Sequence, residues 1–300
     1  MVNGFLVMSG FLVGMMFRKR ETLDVAAFYA GKVRRLLPLF LIALALGIAY
    51  HAYDDSLMPE WSVEQWGCFR AVGFLSHYNT PLWYMVVECM LLLSVPFFFF
   101  LHRLRWGIPC AALCFMLVTA GLFSQVPEAA PFGKGLYYSP LARCWQFVLG
   151  IAAVGLYTYL VEKNVHRTTF FHVATLMLFA VFVAVGGILM FVEQVEELEY
   201  WNYTFSFDLL TCCFYALLIP CLFAFTCQSG RKTSAAVSYM ALLTYPVFLI
   251  HVPVYKFTCD AIELYGYPEK WVFRVSAAVV TVLLSSLLMW AEKRLLSTKS

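Results

Sequence analysis

Hydrophobic residues in this chain gather in long, nearly unbroken runs, and most of the charged residues stand in the short stretches between them. Nine runs approach the length a helix needs to cross a bilayer core, roughly 17–25 residues. They are Val2–Phe17, Leu36–Tyr53, Trp83–Leu101, Trp106–Val126, Leu141–Val161, Phe170–Val192, Phe207–Thr226, Ala236–Phe257 and Trp271–Ala291. The runs are continuous rather than alternating, so they predict helices and not the strands of a barrel. Trp83, Trp106, Trp271 and Trp290 stand at or beside run ends, where an aromatic belt would place them. The expectation is an all-α, polytopic integral-membrane bundle, one domain over residues 1–300. A short interfacial helix is expected within the longest polar segment, Asp54–Leu82.

Composition agrees. A chain that is 62% hydrophobic and 13% charged is not a soluble globular domain. Its net charge of +3 is small, and no nucleic-acid partner is expected. The ten cysteines lie mostly inside apolar runs and form no Cys-x2-Cys pair with a downstream partner. They read as small core residues, and no metal site is expected.

The placement of charge orients the chain. One alternating set of segments between runs holds Arg18, Lys19, Arg20, Lys32, Arg34, Arg35, Arg103, Arg105, Lys163, Arg167, Arg231, Lys232, Lys293, Arg294 and Lys299. The opposite set holds Arg70, Lys134 and Lys270. The positive-inside rule puts the first set in the cytoplasm, the C-terminus with it, and Met1 outside. The outer segments are acidic, with Asp54, Asp55, Glu60 and Glu64 in one and Glu193, Glu196, Glu197 and Glu199 in another. Val2–Phe17 has no basic leader and no small-residue cleavage site, so it is not read as a signal peptide. It is short and begins without a flank, which leads to the expectation of a tenth span upstream of Met1.

Glu88 and His251 sit inside apolar runs, where an ionisable group costs about 2.5–3.5 kcal/mol or more unless it faces a partner, the bundle interior or water. At about 1.5 Å per residue, they lie roughly 8 and 9 Å from the outer face. Arg143, Asp208, Lys256 and Arg274 also fall in the outer parts of their runs. A shared polar cavity opening outward is expected, with Glu88 and His251 either an acid/base pair or separate structural groups. Lys32, Arg34 and Arg35 precede Pro38 at the start of a run. There they could bind phosphates with the help of helix N–H groups, or simply anchor the topology. Ser9, Gly10 and Gly14 lie within the first run; close packing explains the glycines. Ser9 is not expected to be a nucleophile, because no base is adjacent to it in the sequence.

Five motifs in order resemble the acyltransferase 3 family of bacterial integral-membrane acyltransferases, which modify cell-surface glycans. Gly4-Phe5-Leu6-Val7-Met8-Ser9-Gly10-Phe11-Leu12 resembles its Phe-rich run ending in Ser-Gly-Phe-Leu. Lys32-Val33-Arg34-Arg35-Leu36-Leu37-Pro38 is similar to its Arg-x-x-Arg-x-x-Pro. Pro81-Leu82-Trp83-Tyr84-Met85-Val86-Val87-Glu88 is similar to its Leu-Trp-x-Leu-x-x-Glu. Arg143, Phe147 and Gly150 resemble its Arg-x-x-x-Phe-x-x-Gly, and Thr244–Pro253 its Ser-Tyr-x-x-Tyr-Leu-x-His-x-Pro.

The resemblance implies about ten spans in a bacterial plasma membrane. It also implies acyl-CoA as a co-substrate, with no tightly bound cofactor, and a sugar, glycan or glycolipid acceptor. The expected reaction is O-acyl transfer, of acetyl in the first instance. Glu88 and His251 would be catalytic and Lys32 and Arg35 would meet the donor phosphates. Trp83 and Arg143 would bind the acceptor or serve the structure. Lys32 departs from the family's first arginine, replacing a fork with a point charge. No residue matches the histidine of the family's first helix, so little transferase activity is expected of these 300 residues without an upstream helix. The alternatives are a transporter or flippase of a glycan or lipid-linked substrate, and a non-catalytic relative.

Overall fold

The computed structural model describes residues 2–53, 79, 81–124, 139–192, 205–226, 231–264 and 270–297. Among them every regular element is helical. The order is α1 (Val2–Lys19), α2 (Val25–Tyr53), α3 (Leu82–Leu93), α4 (Val95–His102), α5 (Gly107–Ser124) and α6 (Pro140–Glu162). A 3-10 turn (Val165–Arg167) leads to α7 (Thr169–Val192), α8 (Phe205–Thr226), α9 (Arg231–Leu264) and α10 (Lys270–Ser297). By length and apolar composition, four described helical stretches could cross a membrane: Val25–Tyr50, Gly107–Ser124, Pro140–Glu162 and Asp208–Thr226. The pair α3 and α4, bent by 47°, makes a fifth if counted as one span. The all-helical membrane architecture therefore stands. Residues 54–78, where an interfacial helix was expected, and the acidic segment 193–199 lie outside the described residues.

Two boundaries differ from expectation for physical reasons. The run Trp83–Leu101 is broken at Ser94, which caps α4 while its hydroxyl donates to the Leu91 carbonyl at 2.6 Å. Pro96, in the first turn of α4, has no N–H to continue the ladder of α3. The second helix begins at Val25, eleven residues before the expected Leu36. Asp24 caps it, accepting the Ala27 N–H at 3.0 Å. The Ala-, Arg- and Leu-rich stretch that follows propagates the helix despite its charges. Lys32, Arg34 and Arg35 therefore lie well inside α2 rather than at its start. The expected help from free helix N–H groups is corrected accordingly, because amides at those positions are used within the helix.

The chain divides into two compact units, the first Met1–Leu23 with Val87–Gly230 and the second Asp24–Val86 with Arg231–Ser300. In the first, α1 and α6 run parallel at close range. A Cβ on Gly10 would collide with the Phe147 carbonyl, and one on Gly150 with the Val7 carbonyl. A Cβ on Gly14 would stand 2.7 Å from Val154 Cγ2. Glycine is thus required for the approach, as at small-residue helix crossings in membranes. Around this pair, Phe11 meets Phe223 at 4.9 Å and Phe98 meets Phe147 at 6.1 Å, ring centre to ring centre. At the far end of α1, Arg18 reaches Thr158 and Glu162 of α6.

In the second unit, α9 carries Pro246 and Pro253. Pro253 has no N–H, so the Leu249 carbonyl four residues earlier loses its helical donor. Buried Asn79 replaces that donor, its Nδ2 lying 2.8 Å from the Leu249 oxygen and 3.3 Å from the Ala43 oxygen of α2. Tyr50 packs edge-on to Phe257 at 4.9 Å, fastening α2 to α9 further along.

Candidate functional site

Glu88 lies on α3, in the part of that helix belonging to the first unit, and is half-buried. Ser9 of α1 donates its hydroxyl to Glu88 Oε1 at 2.9 Å. The ionisable group inside the apolar run therefore has a hydrogen-bond partner, as burial demands. The same contact supplies what the sequence did not reveal, a carboxylate beside Ser9 from 79 residues away.

Nearer the start of α1 lies a second polar cluster. Arg143 of α6 is 1% exposed and meets Asp208 of α8 at 2.7 Å. Asn3 of α1 ties the pair together. Its Nδ2 donates to Asp208 Oδ1 at 2.7 Å and to Thr211 at 2.8 Å, and its Oδ1 accepts from Arg143 at 3.1 Å. One face of each of three helices is thereby fixed by a single network, and the charge of Arg143 is met by a carboxylate of the same unit. Sequence reading placed Arg143 and Asp208 at similar depth but did not pair them. Their separation of 65 residues, on helices that are not neighbours in the chain, carries no local signal.

His251 lies on α9 in the second unit and is exposed. Its Nδ1 stands 2.7 Å from the Phe248 carbonyl oxygen. A carbonyl can only accept, so neutral His251 carries its proton on Nδ1 and leaves the Nε2 lone pair available. The same stretch of α9 packs on the start of α3 within this unit. Tyr84 meets Phe248 edge-on at 5.2 Å, and the Tyr245 hydroxyl lies 3.1 Å from Met85 Sδ. Trp83 is buried here. On α2, Arg35 is exposed and Lys32 is half-buried with its ammonium 5.7 Å from the centre of the Phe28 ring.

Motifs far apart in the sequence thus meet inside each unit. In the first unit, the Ser9-Gly10 run touches Glu88 through a hydrogen bond and Phe147 and Gly150 through backbone packing. In the second, Trp83–Met85 lies along Tyr245–His251, and the Tyr245 hydroxyl also lies 3.4 Å from the Leu36 carbonyl at the basic stretch of α2. Among the described residues, no group of three or more His, Cys, Asp or Glu side chains is placed to hold a metal. Cys110 and Cys114 are both unpaired thiols on α5.

Searches of curated proteins and of solved structures returned no significant match to the chain. The model of the acyltransferase 3 family, described as an acyltransferase domain, matches residues 1–290. The apolar helices and the arrangement of the five motifs agree with that match across nearly the whole chain, which belongs to the acyltransferase 3 family of integral membrane proteins.

Proposed function

We propose that this protein transfers an acyl group, acetyl in the first instance, from acyl-CoA to a hydroxyl of a cell-surface polysaccharide or glycolipid. The observation that carries the reading is Glu88, a carboxylate within an apolar helix, held on one oxygen by Ser9. A carboxylate so placed can take the proton of an acceptor hydroxyl as the oxygen attacks the thioester carbonyl. The C–S bond breaks, and the departing thiolate of CoA takes up a proton. His251, with Nδ1 engaged and Nε2 available, is the second group able to move a proton. Lys32 and Arg35 are the cations for the donor's phosphates, acting from the side of α2 rather than through its N-terminus. For Arg143, the ion pair with Asp208 supports the structural of its two expected roles.

The proposed topology is the nine-span one, in a bacterial plasma membrane with the end of α10 in the cytoplasm. The parallel run of α1 and α6 supports it. An odd number of crossings must separate two parallel spans, and α2, the bent α3–α4 pair and α5 supply three. The test is release of CoA thiol by membranes containing the protein. Release that depends on an added glycan or glycolipid acceptor supports the reading, whereas acceptor-independent release, or none from either these 300 residues or a version extended by the expected upstream helix, refutes it.

The break at Ser94 favours a second reading, because transporters build substrate sites at discontinuous helices. Movement of a glycan across vesicles without loss of the thioester would select that reading.

A further inference from the structure

We propose that Ser9 is a positioning residue for Glu88: it holds Oε1 so that Oε2 is presented to the acceptor hydroxyl. The inference rests on the reading of Glu88 as the base.

Serine and threonine hydroxyls inside helices ordinarily turn back to a carbonyl three or four residues earlier. Thr226, Thr258, Thr281 and Ser286 do so here, at 2.7–2.9 Å. Ser9 does not. Its hydroxyl leaves α1 and donates to the Glu88 carboxylate of α3. Among the described residues this is the hydrogen bond made to Glu88, and it engages one oxygen, so Oε2 is left to accept.

The donor is also held in place. Gly10, next to Ser9, has no room for a Cβ against the Phe147 carbonyl, and Val7, two residues earlier, has its carbonyl against Gly150. Gly14 is closed in by Val154 and Ile151. The backbone carrying Ser9 therefore cannot slide along α6, and the hydroxyl is delivered to a fixed point. A carboxylate with one fixed oxygen has lost most of its rotamer freedom before the acceptor arrives, which is the pre-organisation that proton abstraction requires. Ser9 itself is 8% exposed, so water is a poor substitute for it.

The experiment measures acceptor-dependent CoA release, with kcat and KM for acetyl-CoA, in membranes carrying the wild-type protein or the variants Ser9→Ala, Ser9→Cys, Ser9→Thr, Glu88→Gln and Ser9→Ala/Glu88→Gln. Loss of a hydrogen bond to a charged group predicts a fall in kcat of about 10- to 100-fold in Ser9→Ala, with KM for acetyl-CoA nearly unchanged. Ser9→Cys, close to serine in shape but a weak donor, should fall likewise. This keeps the test intact if the alanine variant fails to fold. Ser9→Thr, which retains the hydroxyl, should recover most of the rate. In the Glu88→Gln background, Ser9→Ala should add little, because the two residues act as one unit.

An equal further loss in that background would make Ser9 a packing residue and overturn the proposal. So would a Ser9→Ala protein at full rate, or an acetyl ester trapped on Ser9 after incubation with labelled acetyl-CoA. Full activity in Glu88→Gln would instead overturn the reading of Glu88 itself, whereas an inactive Glu88→Gln beside a fully active Ser9→Ala would sink the positioning role alone.

Discussion

Replacing Asp208 by alanine removes the carboxylate that Arg143 meets at 2.7 Å, in a place where neither side chain is more than 4% exposed. The guanidinium then loses the carboxylate that meets its charge among apolar helices, and breaking a buried pair in this way costs about 3–5 kcal/mol. Asn3 loses its acceptor at the same stroke and keeps only Thr211 for its amide nitrogen, which places the expected loss toward the upper end of that range. Changing both partners to apolar residues of similar size, Arg143→Met with Asp208→Leu, removes the charge and its counter-charge together. Such replacements are often neutral. Here Asn3 is left short of a donor and an acceptor, so a residual cost of about 1–3 kcal/mol is expected.

The assay is thermal unfolding of the detergent-purified protein, followed by the fraction that still elutes as a folded monodisperse species. The single variant should melt well below the wild type, and the double variant between them. A single variant within about 1 kcal/mol of wild type, or a double variant as damaged as the single, would refute the reasoning. Activity adds a second readout. A structural Arg143 predicts that the double variant still transfers acyl groups, whereas an acceptor-binding Arg143 predicts a folded but inactive protein.

Four further outcomes follow from particular residues. Gly10→Val should sharply reduce folded yield because its side chain would strike the Phe147 backbone. Gly155→Ala, which meets nothing within 4 Å, should be tolerated or gain up to about 1 kcal/mol of helix stability. Asn79→Ala should cost about 1–3 kcal/mol in thermal stability by leaving the Leu249 carbonyl buried without its donor. Adding Pro253→Ala, which restores a helical N–H to that carbonyl, should recover part of the loss; no recovery would remove the capping account. Arg35→Glu should weaken acetyl-CoA binding, measured by equilibrium dialysis, while membrane insertion is unchanged. Equal affinity would leave Arg35 a topology anchor.

The helices were legible because lipid-facing segments must be apolar on all sides, and that constraint acts residue by residue along Leu141–Val161 or Phe207–Thr226. The break at Ser94 was also legible in principle, since Pro96 interrupts a run that composition alone reads as continuous. The start of α2 departs from the expected Leu36 because helix propensity outweighs the charges there, and Asp24 followed by an Ala-rich stretch is itself a start signal. At the candidate site, Glu88 and His251 could be singled out because an ionisable residue in an apolar run is conspicuous. What each one touches could not be read. Ser9 with Glu88, Asn3 with Asp208, and Asn79 with Leu249 are pairings set by which helix faces meet, and sequence spacing carries no trace of them.

The central claim is that this chain is an acyltransferase whose chemistry runs through Glu88. It is tested most directly by the transfer of labelled acetyl from acetyl-CoA to a surface glycan in membranes carrying either the wild-type protein or Glu88→Gln at equal folded abundance. Loss of a general base predicts steady labelling of the acceptor by the wild type and a rate lower by about 10²- to 10⁴-fold in Glu88→Gln. Equal labelling by the two proteins, or no labelling by the wild type either as these 300 residues or extended by the expected upstream helix, would contradict the claim.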